Sequence, residues 1–293
     1  MPQHSKIVFF GTPDLAVFVL QELSTRGIVP SLVVTAPDRP VGRKLVLTAP
    51  PAKVWAQQHA IPVVQPPSLK DPARVPELAD GAWDVAIVAA YALMIPAWLL
   101  ARPHHGMLNV HPSLLPALRG PSPIRTALRE NLRDAVGVSI IVLDEQMDHG
   151  PIVVQKPAEL TTWPLPGREL DELLFRTGGR LLADVLPTWL SGSNSSVAQE
   201  HGYATYTTKF TKEDGELCAT DTDAVKYAKY CAMDGWPGTF FFHATTDAGG
   251  TRTIVRVKVS HAELVRGVFT IRRVVPEGKR DMDWNEWAAH AAQ

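Results

Sequence analysis

What most constrains this chain is a rhythm in its first two thirds, where short apolar runs rich in β-branched residues alternate with stretches of helical spacing. The runs are Ile7 to Phe10, Leu32 to Thr35, Val63 to Val64, Val85 to Ala89 and Met107 to Val110. Leu15 to Leu23, Ala52 to His59 and Ala97 to Leu100 lie between them as helical segments, and Ile124 to Leu132 follows the last. Strands buried on both faces lose the alternation of a half-exposed sheet, and a helix between strands supplies the crossover that parallel pairing needs. The expected fold is α/β, a doubly wound, mostly parallel sheet.

After residue 134 the pattern changes to two extended runs, Val136 to Leu143 and Ile152 to Leu160, joined by the turn-like DEQMDHGP. A long helix from Glu169 to about Leu190 closes this first domain. Ser191 to Gly202, SGSNSSVAQEHG, is small, polar and aperiodic, the composition of a linker. Beyond it come a helix at Thr222 to Met233, a Trp-Pro-Gly turn at Trp236 to Gly238, and β-rich runs at Thr239 to Ala244, Thr251 to Val259 and Val268 to Val275. That part reads as a small β-barrel or curved sheet of the OB-like kind. The expected domains are 1–190 and 204–293, with 191–203 between them. At 293 residues and 45% apolar content, the chain can bury both cores.

A net charge of −1 gives the molecule no overall electrostatic footprint for nucleic acid, so any basic surface must be local. The two cysteines, Cys218 and Cys231, fit neither a disulfide framework nor a zinc site. The opening MPQHSKIVFFGTP has only four consecutive apolar residues after its lysine, too few for a signal core or a membrane span. A cytoplasmic monomer without membrane attachment is the expectation.

Chemistry concentrates where strands end. The first strand leads into GTPDLA at Gly11 to Ala16, a glycine turn into a helix, which in an open parallel sheet borders the ligand crevice. It is not GxGxxG, and no GxxxxGK[ST] occurs, so dinucleotide and P-loop chemistry lose their main support. The fifth strand ends in MLNVHPSLLPALRGPSPI, with Asn109 and His111 two apart and so on one side of an extended segment. An amide that donates to an oxyanion and an imidazole that moves a proton suit acyl transfer, although a polar strand end facing solvent would look the same. Pro112, Pro116, Pro121 and Pro123 restrict the following loop to a defined shape. Asp148, in MDHG, is either a turn former or the carboxylate that orients His111. A metal site of His111, Asp148 and His149 has no spacing signature, and none is expected.

Taken together, Asn109, His111, Asp148, the SLLP of Ser113 to Pro116 and the RGPSPI of Arg119 to Ile124 resemble the 10-formyltetrahydrofolate-dependent formyltransferases. GTPDLAV, APDRPVGRK at Ala36 to Lys44, PPAKV at Pro50 to Val54 and VVQPPSLK at Val63 to Lys70 resemble the branch whose acceptor is methionyl initiator tRNA. So do TTKFTKEDGEL, GWPGTFF and VVPEGKRDM nearer the C-terminus. The resemblance implies that Asn109, His111 and Asp148 are catalytic and that 10-formyltetrahydrofolate is the formyl donor. It implies that Ser113, Leu114, Leu115 and Pro116 line the folate site, with Tyr91, Leu93, Met94 and Ile95 of the YALMIP loop around the pteridine. The chain departs from the pattern at Ala92, where glycine is usual, at Gln146 and His149, and in an abbreviated segment between Val265 and Val268.

The expected reaction moves a formyl group onto the α-amine of the acceptor, with Asn109 and protonated His111 donating to the carbonyl oxygen while Asp148 holds His111. Arg39, Arg43 and Lys44, in a loop expected to be mobile, would touch the acceptor stem. Arg252, Arg256 and Lys258 share a parity and hence one strand face, which would follow the phosphate backbone unless nearby acidic segments balance it. The alternative acceptor is a nucleotide-linked amino sugar, which would need the same core and a different C-terminal attachment. A silent folate- or RNA-binding module would have no use for the intact Asn109, His111 and Asp148 set.

Overall fold

The computed structural model of the protein describes residues 5–42, 44–246 and 252–291. In chain order the elements are β1 (Ile7–Phe10), α1 (Asp14–Thr25), β2 (Leu32–Val34), β3 (Arg39–Val41), β4 (Val46–Thr48), α2 (Pro51–Gln58) and β5 (Val63–Val64). There follow α3 (Pro76–Ala79), β6 (Val85–Val88), α4 (Ala97–Leu100), β7 (Met107–His111), α5 (Pro123–Arg129), β8 (Gly137–Val142), β9 (Ile152–Pro157) and α6 (Gly167–Leu190). The last are α7 (Asp223–Ala232), β10 (Thr239–Thr246), β11 (Arg252–Val265), β12 (Val268–Pro276), β13 (Met282–Asp283) and α8 (Trp284–Ala291).

The chain divides into two compact units, 1–120 with 135–159 and 171–206, and 121–134 with 160–170 and 207–293. In the first, seven strands form one sheet in the order β5-β2-β1-β6-β7-β8-β9. The strands from β5 to β7 run parallel, and β8 and β9 are antiparallel additions, so the sheet is doubly wound and mostly parallel. Its centre is dry: Ile7, Val8, Phe9 and Phe10 of β1 and Val85, Ala86 and Ile87 of β6 are all buried. Strand order reverses about β1, and in open sheets of this kind ligands bind at the carboxyl ends of the strands beside such a reversal.

Helix α1 packs through Ala16, Val19, Leu20 and Leu23, the 3- and 4-residue intervals of one helical face. Helix α6 carries two consecutive glycines, which helix propensity alone disfavours by roughly 1 kcal/mol each. A Cβ on Gly178 would stand 2.4 Å from Val110 Cγ1 and 3.2 Å from Val138 Cγ1, so its absence lets the helix backbone lie directly on β7 and β8. Val110 sits between Asn109 and His111, and this close approach fixes the strand that carries them.

The second unit holds α5, α7, α8 and a four-stranded antiparallel sheet in the order β10-β11-β12-β13. Leu217, Val259 and Ala262 form its buried centre, with Tyr230, Phe241, Phe269 and Ile271 packed against them. Thr222 caps α7, accepting from the Val225 N–H at 3.3 Å. The abbreviated segment between Val265 and Val268 is a two-residue hairpin turn, with Arg266 and Gly267 at φ 51° and 83°.

Composition alone suggests other boundaries. Residues 121–134 and 160–170 group with the C-terminal unit, and 191–206 belong to the first. The polar stretch 191–202 is hydrogen-bonded structure: Val197 and Ile152 exchange both backbone bonds at 2.8 Å, and Gln199 is buried.

Candidate active site

Asn109 and His111 emerge from β7 where it pairs antiparallel with β8, Asn109 opposite Ile141 and His111 opposite Ser139. The two-residue period puts both side chains on one face, yet their surroundings differ. His111 is only 4% exposed, and each of its ring nitrogens faces an acceptor. Nε2 lies 3.0 Å from the Leu118 carbonyl, and Nδ1 lies 3.5 Å from Asp148 Oδ1, a spacing of ion-pair contact rather than of a short hydrogen bond. A carbonyl only accepts, so Nε2 carries the proton in the neutral ring and Nδ1 is left to exchange one with the carboxylate. Asn109 is only partly buried, and among the described residues its amide has no hydrogen-bond partner. Both residues were expected to donate to a carbonyl oxygen. In this geometry the ring nitrogens of His111 are engaged, and Asn109 is the free donor.

Asp148 stands on a tight turn with φ 50°, in the left-handed region that side chains other than glycine, asparagine and aspartate seldom enter. Its Oδ2 accepts the Gly120 N–H at 2.7 Å. Two residues on, a Cβ at Gly150 would lie 1.8 Å from the Val142 carbonyl oxygen, so only glycine fits this close pass. His111 and Asp148 are thus held by one three-residue stretch, through the Leu118 carbonyl and the Gly120 N–H.

The Ser113–Pro116 loop is tied down from β8 and β9. Ser139 Oγ donates to the Ser113 carbonyl at 2.6 Å and accepts the Leu115 N–H at 3.1 Å. Gln155 Nε2 donates to the Leu115 carbonyl at 2.7 Å, and Ser113 Oγ to the Ala117 carbonyl at 2.6 Å. Tyr91, Leu93 and Ile95 follow β6, the neighbouring strand, and pack on the core cluster containing Val88 and Phe10, whereas Met94 is 65% exposed. Burial pushes the Tyr91 hydroxyl up to about 12, and that hydroxyl is without a partner among the described residues.

Arg39 and Lys44 belong to a segment that folds as the β3–β4 hairpin, where a plain loop was expected; Arg43 lies outside the described residues. The base of the hairpin is anchored by Asp38, which accepts from Lys53 Nζ at 2.8 Å and from Gln65 Nε2 at 2.7 Å. The Lys53 hydrogen bond, followed by that of Gln65, holds the Asp38 carboxyl below its usual range. Val41, Leu45, Val46 and Leu47 are all more than half exposed around the tip, at 56%, 70%, 59% and 67%.

In the second unit Val257 and Val259 of β11 are buried, Arg252 and Lys258 are exposed, and Arg256 is partly buried. Lys258 lies opposite Phe240 and Arg256 opposite Phe242, so cations and aromatic rings share one face. The Arg256 guanidinium sits 3.7 Å over the Phe240 ring. Two arginines of β12 are balanced, Arg272 by Glu263 at 3.2 Å and Arg273 by Asp281.

Sequence reasoning did not single out Gln199 or His201 beside the Asp148 turn, and named Arg119 only as the start of RGPSPI. Arg119 is 1% exposed; its Nη2 reaches Gln199 Oε1 at 2.6 Å and His201 Nδ1 at 2.8 Å. The His201 ring is stacked on His149 at 4.0 Å. His201 is exposed as a residue, but its ring is covered there, and this desolvation, then the proximity of His149 and Arg119, holds its pKa below the ordinary value. Among the described residues no cluster of His, Cys, Asp or Glu could hold a metal ion, and no helix is long and apolar enough to cross a membrane.

Comparison with known proteins bears on the family. Residues 5–164 match the formyl transferase family. A methionyl-tRNA formyltransferase of Herpetosiphon aurantiacus is 39% identical over 297 residues, spanning 96% of both chains. Among solved structures, the methionyl-tRNA formyltransferase of Clostridium thermocellum aligns with a TM-score of 0.60 at 14% identity, over 93% of this chain and 99% of that one. An N-formyltransferase of Helicobacter canadensis, solved with folinic acid and dTDP-3-aminofucose, aligns with a TM-score of 0.62 at 14% identity, over 92% of this chain and 95% of that one. With this sheet, this strand end and relatives matched over nearly their full length, the chain belongs to the formyl transferase family.

Proposed function

We infer that the chain transfers the formyl group of 10-formyltetrahydrofolate to the α-amine of methionyl initiator tRNA. The observation that carries the acceptor is the length of the likeness: 39% identity runs over 96% of both chains and so includes the C-terminal unit, the part in which a sugar-modifying enzyme would differ. The likeness to the sugar enzyme, at 14% identity, is one of fold.

The donor supplies a formyl group on a nitrogen that leaves as an amine. The protein fits it through a free amide on Asn109 beside a loop, Ser113–Pro116, whose polar groups are largely satisfied internally. Ser113, Leu114, Leu115 and Pro116 form one wall, and Tyr91, Leu93, Met94 and Ile95, at the end of the adjacent strand, form the other. An α-amine titrates near roughly 7.7–8.0, so an appreciable fraction is already neutral and the enzyme's main task lies at the carbonyl. Asn109 donates to the formyl oxygen as charge grows there during attack. Asp148, fixed by Gly120, takes the proton of the attacking nitrogen with His111 sharing the charge, and the pair returns it to the departing nitrogen. One C–N bond forms, one breaks, and one proton moves between the two nitrogens.

Arg39, Arg43 and Lys44 meet the acceptor stem, and Arg252, Arg256 and Lys258 with Phe242 give the β11 face its affinity for a phosphate backbone. The direct test is formyl transfer from 10-formyltetrahydrofolate to methionyl-tRNA and, in parallel, to a panel of nucleotide-linked amino sugars. Transfer to the tRNA alone is expected; preference for a sugar would overturn the acceptor.

A further inference from the structure

The Asp148 turn is held from a side that plays no part in the chemistry above. Gln199 is 5% exposed and all four hydrogen-bonding positions of its amide are used. Its Oε1 accepts from Arg119 Nε at 3.1 Å and from Nη2 at 2.6 Å. Its Nε2 donates to the Asp148 carbonyl at 2.9 Å and to the Gly150 carbonyl at 2.7 Å. One amide therefore ties together the two carbonyls that bracket the turn, while a buried guanidinium fixes the amide's orientation. Arg119 is itself placed by its backbone, whose N–H donates to the Thr205 carbonyl at 2.9 Å.

We propose that Gln199, oriented by Arg119, is a positioning residue that sets the place of the Asp148 carboxylate against His111. The backbone at Asp148 is left-handed, a conformation the chain leaves when it is not held. If the turn relaxes, the carboxylate moves from both the Gly120 N–H and His111 Nδ1. Arg119 also lies between Leu118, whose carbonyl meets His111, and Gly120, whose N–H meets Asp148. A single buried side chain thus links the supports of both groups to the segment around residue 199.

The inference rests on Asp148 taking part in the reaction, and a double-mutant cycle separates the two ideas. Formyl transfer to methionyl-tRNA is measured with enzyme in excess for wild type, Gln199→Met, Asp148→Asn and the double variant. Gln199→Met is expected to lower the rate roughly ten- to a hundredfold, as a misplaced group does, with the KM for the folate donor nearly unchanged. In the Asp148→Asn background the same change should cost less than about twofold, because the residue acts through a carboxylate already removed. Equal losses in both backgrounds, or no loss in either, overturn the positioning role and leave the formyl-transfer reading standing. Full activity of Asp148→Asn overturns both. Gln199→Glu serves as the second variant, decisive even if Gln199→Met does not fold. Its carboxylate keeps the Arg119 partner and loses both donors to the carbonyls, so it should fold and be slow. Wild-type turnover in Gln199→Glu would overturn the proposal.

Discussion

Asn109 and His111 sit two residues apart on one strand, but only Asn109 has a donor to spare. Removing that donor should cost turnover rather than binding: Asn109→Ala is expected to lower kcat about a hundred- to thousandfold, the usual effect of losing an oxyanion donor. Retention of more than about a tenth of the rate would remove Asn109 from the reaction. His201 offers a test of a different kind. In the folded protein its pKa is lowered, so the unfolded chain, titrating near the ordinary value of about 6.5, binds a proton first as pH falls. The His201 contribution to stability is therefore complete above that value and is lost as pH falls below it through the lower folded-state value. Thermal midpoints should fall more steeply on acidification for wild type than for His201→Gln; parallel curves would contradict this. Asn109, His111 and Asp148 could be named from sequence because strand period and a turn motif are local signals. The pairing of Arg119 with Gln199 stayed hidden because they meet across 80 positions, and a glutamine in a polar stretch has the look of a linker.

The ends of elements were legible where burial is two-sided. β1 falls where its apolar run predicts, since a parallel strand buried on both faces leaves a plain pattern; β5, a half-buried edge strand, and the helix Ala97–Leu100 also lie where their apolar residues place them. β3 and β4 were not foreseen, because a hairpin with both faces exposed leaves no alternation to read. β11 runs on to Val265, six residues past the expected end, because irregular register between Val259 and Ala262 breaks the period of two. The close approach of α6 to β7 gives a prediction at this scale. Alanine favours helices over glycine, yet Gly178→Ala should destabilise the protein by about 1–3 kcal/mol, because its methyl group overlaps Val110 and must push the strand or the helix away. Turnover should fall as well, since Val110 separates Asn109 from His111. An unchanged or raised Tm would show that the helix yields at no cost.

Over the whole molecule, the near-zero net charge hides a local concentration of cations on β11. Replacing Arg252, Arg256 and Lys258 together with alanine should weaken methionyl-tRNA binding and flatten its dependence on salt, because fewer counterions are released. The rate at saturating tRNA should change little. An unchanged salt slope, measured by titration over a range of ionic strengths, would reject this face as an RNA platform. Composition could not place 121–134 and 160–170 with the C-terminal unit, because they lie far from it in sequence and only the folded chain brings them into one group. The β3–β4 hairpin sets a further expectation for how the free and bound proteins differ. Val41, Leu45, Val46 and Leu47 surround a cationic tip, and water structured around such side chains contributes to the heat capacity of the free protein. A partner that covers them releases that water, so association with tRNA should carry a negative heat-capacity change and grow more exothermic on warming.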